Sequence, residues 1–109
     1  MTRFADTFYD KCTEAHEISV DHGFWEKDRG DLEAIALMHS ELSEAVESLR
    51  HDDPPDQHLP EFSGAEVEFA DTVIRIMDLC AARGYRIADA IEAKMIFNKS
   101  RPHKHGKTY

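Results

Sequence analysis

The sequence predicts an all-α domain arranged as a four-helix bundle, and three observations carry that expectation. Four segments space their apolar residues at helical intervals, no segment keeps the period-two alternation of a strand, and helix start and stop signals separate the four. The first helix is expected from about Thr2 to Asp21, stopping at His22-Gly23, where glycine suits the left-handed position after a helix. A short loop with Phe24 and Trp25 leads to the second, from about Asp31 to Arg50. There Ile35, Met38, Leu42, Ala45, Val46 and Leu49 fall on one side, the expected core face, with His39 expected to pack near it.

The segment from His51 to Pro60 cannot continue a helix, because consecutive prolines remove donors and push their predecessors out of the α region. The third helix opens at Ser63-Gly64-Ala65-Glu66, a capping-box sequence, and ends at Arg83-Gly84. On a helical wheel Phe69, Ala70, Val73, Ile74, Ile76, Met77, Cys80 and Ala81 cover more than half the circumference, so this helix is expected to be largely buried. Glu68, Asp71, Arg75 and Asp78 collapse into one narrow polar stripe, which must face either a slim solvent channel or an internal site. The fourth helix is expected from about Ile87 to Lys99, halting before Pro102.

At 109 residues the chain fits a single domain, 1–109, with residues 99–109 as a basic tail. So small a domain buries a modest core, and a long cleft needs a second subunit, so a homodimer or dimer of dimers is expected. The net charge of −9 argues against binding a nucleic-acid polymer through a basic face. That charge is unevenly spread: residues 1–93 hold 8 Lys/Arg against 22 Asp/Glu, whereas residues 94–109 hold five bases and no acid. No apolar window approaches the roughly 18 residues of a membrane span and the first residues do not read as a signal peptide, so a cytoplasmic protein with no membrane partner is expected. Cys12 and Cys80, far apart within helical segments, read as reduced core thiols rather than a disulfide or a zinc site.

Two carboxylate pairs stand out. Glu41 and Glu44 on the second helix, and Glu68 and Asp71 on the third, are each three residues apart, a spacing that puts both side chains on one face. Antiparallel packing of the two helices would converge all four. Such hard oxygen ligands suit Mg²⁺ or Mn²⁺, ions that keep several waters and commonly bind substrate phosphates. Glu-x-x-Glu is also common on solvated helix faces, and the same acidity is open to a second reading, a non-catalytic helical adaptor that binds a partner through its acidic face. A di-iron bundle is disfavoured, because the chain has no Glu-x-x-His pair.

Glu41-x-x-Glu44, 23 intervening residues, then Glu68-x-x-Asp71 resembles the signature of the MazG-like all-α nucleoside triphosphate pyrophosphohydrolases. Three further segments resemble the small single-domain members: Gly23-Phe24-Trp25, Leu59-Pro60-Glu61-Phe62, and Lys94-x-x-x-Asn98-Lys99-x-Arg101-Pro102-x-x-His105-Gly106-Lys107. The resemblance implies hydrolysis of a nucleoside triphosphate between the α and β phosphates, with Mg²⁺ held by Glu41, Glu44, Glu68 and Asp71. Glu41 or Glu44 would orient or deprotonate the attacking water. Under that reading Lys94, Asn98, Arg101 and Lys107 face the triphosphate, which gives the basic end a role. The related dCTP pyrophosphatases have an aromatic residue at the Trp25 position and a histidine at the His16 position, which implies stacking on a base and hydrogen bonding to it. They carry a tyrosine where this chain has Arg75. That departure puts a dCTP preference in doubt and leaves Arg75 to pair with Asp78 or touch phosphate. Another pyrophosphate-linked metabolite would be handled by the same chemistry.

Overall fold

A computed structural model describes residues 1–27 and 30–106 and is all-helical among them, without a strand. The helices are α1 (Arg3–Asp21), α2 (Asp31–Arg50), α3 (Gly64–Arg83) and α4 (Ile87–Lys99), followed by a short 3₁₀ turn, His103–Gly106. None is long and apolar enough to cross a membrane. Helix α3 is the centre of the arrangement, packing on both α2 and α1, and α4 leans on α1.

The ends explain the bounds. Thr2 caps α1 by accepting from the Ala5 amide, and Gly23 takes the left-handed conformation beyond its end (φ 84°). Gly84 does the same for α3 at φ 71°. The start of α3 is held more thoroughly than its capping box foretells. Ser63 Oγ accepts from the Glu66 amide while Glu66 Oε1 accepts from the Ser63 amide. The proline loop supplies the rest: the Pro54 carbonyl accepts from the Gly64 amide and Asp53 Oδ1 from the Ala65 amide. The four amides that a helix N-terminus leaves orphaned therefore all have partners. Asp52 and Asp53 reach this geometry at φ 63° and 50°, a region Asp tolerates better than most residues. A side chain at Gly64 would run into Ser48, whose hydroxyl also donates to Asp53. Helix α4 has no side-chain cap of its own, and Tyr9 of α1 accepts from its Asp89 amide instead.

The buried apolar set is small: Ala5, Cys12, Ala45, Ala65, Leu79, Cys80 and Ala88, with both cysteines as free thiols. Two burial expectations are corrected. On α2 only Ala45 is buried, while Ile35, Leu42, Val46, Leu49 and His39 are exposed. On α3 Phe69, Val73 and Ile74 are 49%, 43% and 48% exposed, so the helix is not largely buried within one chain. The polar stripe turns inward instead, with Glu68, Asp71, Arg75 and Asp78 all partly buried. The reason is geometric: the radius of gyration is 16.3 Å, against about 13 Å for a compact domain of about 100 residues. A single copy leaves the outer apolar faces of its helices uncovered.

Candidate functional site

Because α2 and α3 pack together with their acidic faces inward, Glu41, Glu44 and Glu68 converge. Each offers an oxygen within 4.8 Å of the others, Glu44 exposed and the other two partly buried. Glu68 Oε2 is buried without a hydrogen-bond partner. Burial, then the adjacent Glu41 and Glu44 carboxylates, pushes the Glu68 carboxyl from its ordinary 4.5 up to about 8. Sheltered like charges are costly unless a cation offsets them. An orphaned oxygen and an all-carboxylate donor set fit a hard divalent cation.

Asp71 is not part of this trio. It lies one turn beyond Glu68, where burial first and then the Glu41 charge raise its pKa, an effect the Arg75 charge opposes. Asp71 lines, together with Glu41, a cavity of about 420 Å³ walled by Ile18, Phe24 and Ile74 and closed by Arg75 and Asp78. Such a volume lies within the range of small-molecule sites, and apolar walls with a few convergent polar groups are their usual make-up.

Arg75 does not pair with Asp78. Its Nε donates to Glu41 Oε1 at 3.0 Å, across the α2–α3 interface. Asp78 is engaged from the other side, by His16 Nδ1 at 2.7 Å and by the Trp25 indole N–H at 2.9 and 3.1 Å. A carboxylate only accepts, so the His16 Nδ1 carries the proton. The Trp25 ring also meets His16 edge-on at 5.3 Å and the Arg83 guanidinium at 5.6 Å. His16 and Trp25 thus hold Asp78 in place, and neither lines the 420 Å³ cavity. The aromatic wall there is Phe24, a residue the sequence reading passed over, although its place beside Trp25 in the same loop was a signal.

No protein-family model, curated protein or solved structure matches the chain. The site is therefore read from its own residues. On the basic end, Lys94 sits 4.7 Å and Arg101 5.5 Å from the Phe97 ring, and Asn98 Oδ1 is buried without a hydrogen-bond partner. None of the three lines the cavity beside the acids, and the main packing of α4 is on α1 rather than on the α2–α3 pair that carries them. Lys107 lies outside the described residues.

Proposed function

We propose that the chain is a divalent-cation-dependent nucleoside triphosphate pyrophosphohydrolase that works as a homo-oligomer. The observation that carries this reading is the Glu41, Glu44 and Glu68 cluster, with its orphaned oxygen, beside a nucleoside-sized cavity. Sequence resemblance to MazG-like enzymes supports the reaction class, and Asp71 one turn from Glu68 is in position to join the donor set once a cation draws the carboxylates together.

In this reading Glu41, Glu44, Glu68 and Asp71 hold Mg²⁺ or Mn²⁺. When bound, such an ion would supply charge neutralisation at the phosphates and a more acidic water, which is most of what phosphoryl transfer needs. Glu41 or Glu44 orients that water and takes its proton. Water oxygen bonds to the α phosphorus as the bond from that phosphorus to the α–β bridging oxygen breaks, giving a nucleoside monophosphate and pyrophosphate. Phe24, Ile18 and Ile74 offer the base an apolar wall. Asp78, braced by His16 and Trp25, offers an acceptor toward it, so those two residues act on the base through Asp78. Lys94, Asn98 and Arg101 would meet the triphosphate from a second copy, the role the resemblance also implies for Lys107; the exposed apolar faces of α2 and α3 support association of copies.

The test is a panel of ribo-, deoxy- and modified nucleoside triphosphates with Mg²⁺, reading pyrophosphate against orthophosphate. Pyrophosphate release that chelator abolishes is expected. Orthophosphate as the sole product overturns the α–β assignment, and no turnover of any member overturns the enzyme reading. Sedimentation of a monomer at assay concentration would remove the second copy's contribution.

A further inference from the structure

We propose that Arg75 is a built-in counter-cation that holds Glu41 until a divalent ion displaces it, and that the released guanidinium then binds an anionic phosphoryl group. The inference rests on the metal reading above and assigns the device that couples metal to substrate.

Arg75 is the only cation in the α3 stripe of Glu68, Asp71, Arg75 and Asp78. Its nearest acidic neighbour along the helix, Asp78, is taken by His16 and Trp25, which turns Arg75 across the interface to Glu41. The pair is sheltered, with the Glu41 side chain 14% and the Arg75 side chain 34% exposed. Glu41 Oε1 is thus bonded to a guanidinium in the same cluster whose oxygens a hard cation would use. A divalent ion bonds carboxylate oxygen at about 2.0–2.1 Å and repels a neighbouring guanidinium, so the two compete for one oxygen.

The displaced group has somewhere to go. Arg75 lines the 420 Å³ cavity with Asp71 and Asp78, and also a second cavity of about 510 Å³ with Phe24, Lys27 and Leu37. It lines both, so a guanidinium released from Glu41 already borders two cavities. The bond to Glu41 engages Nε, whereas the planar fork of terminal nitrogens is the feature that matches phosphate in a bidentate fashion. Acids otherwise dominate this face, so a phosphoryl anion entering without Arg75 meets repulsion from Asp71 and Asp78. Metal binding therefore creates the anion site, and by reciprocity anion binding strengthens metal binding.

Mn²⁺ binding by electron paramagnetic resonance, alone and with inorganic phosphate, tests this on the wild type and on Arg75→Gln. Arg75→Met, which keeps the volume of the stem, is the substitute if the Gln variant does not fold. In the wild type, phosphate should bind only with Mn²⁺ present and should tighten Mn²⁺. Removing the guanidinium should raise affinity for Mn²⁺ alone about fivefold or more and abolish the gain from phosphate. A variant that binds Mn²⁺ with unchanged or weaker affinity overturns the proposal while leaving the metal site standing. A wild type that binds no Mn²⁺ overturns the metal reading and this inference with it.

Discussion

Along α3, two regions divide near Arg75. Toward the C-terminus, Leu79 and Cys80 are buried, and Cys80 lines a cavity together with Cys12 of α1. Toward the N-terminus the same helix turns Glu68, Asp71 and Arg75 toward α2, and the contact holds like charges, an ion pair and an orphaned oxygen. One half holds the buried apolar residues and pairs its charges with partners, while the other gathers like charges sheltered from water. Sheltered, unbalanced charge at a cavity marks sites built to receive a ligand.

Neutralising Glu68 breaks the comparison most strongly. Glu68→Gln keeps the shape and removes the charge, so turnover in the proposed reaction should fall about 100-fold or more, the several kcal/mol a held cation supplies. The metal-free fold should nonetheless become more stable at pH 8, because the buried charge is gone. The sign follows from the pKa of about 8 in the fold against an ordinary 4.5. Between those values the folded chain holds a proton that the unfolded chain has released, so stability falls as pH rises. Asp71, also raised, adds in the same direction. Thermal melts of metal-free wild type and variant from pH 5 to 8.5 check this, and equal pH slopes would show that Glu68 is not electrostatically strained.

Leu79→Ala probes the opposite half. Leu79 is 7% exposed, and truncating it should cost about 2–3 kcal/mol in urea unfolding, through lost burial and a cavity. Mn²⁺ affinity of the folded fraction should stay near wild type. A large loss of that affinity would mean the two halves are not separable.

What was legible in the sequence follows the same division. Helix bounds were open to reading because Ser63, Gly84, Gly23 and Pro54-Pro55 impose backbone constraints locally. The acidic stripe was legible because spacing alone sets which side chains share a face. Direction was not: a wheel shows that α2 and α3 are apolar on one side without showing whether this chain covers that side, and Ile35, Leu42, Val46 and Leu49 remain exposed. Nor does spacing reveal a partner 34 residues away. Arg75 had Asp78 three residues on, yet the fold spends Asp78 on His16 and Trp25 and brings Glu41 across. The proline loop read only as a segment that cannot continue a helix, because its capping work depends on left-handed Asp52 and Asp53, which no local motif announces.

The smallest effect lies at the joint between loop and site. Ser63→Ala removes the acceptor for the Glu66 amide, and a lost N-cap of this kind costs about 1 kcal/mol. Pro54 and Asp53 still hold the Gly64 and Ala65 amides, so unfolding of α3 should stay cooperative and only the first turn should exchange its amide protons faster. The consequence for the site is graded, because Glu68 stands two residues beyond Glu66 and its placement depends on that first turn being closed. Asp53 gives the comparison its opposite sign. The Ala65 amide, first among its partners, holds the Asp53 carboxyl below its ordinary 3.8, so this cap stabilises above that pH and is lost as pH falls. Acid thus releases the cap while it relieves Glu68. Hydrogen exchange at Ala65 to Glu68, followed in Ser63→Ala as pH is lowered from 7 through the range in which Asp53 protonates, should show the first turn opening; protection that persists once Asp53 is protonated would mean that its carboxylate is not needed to secure the start of α3.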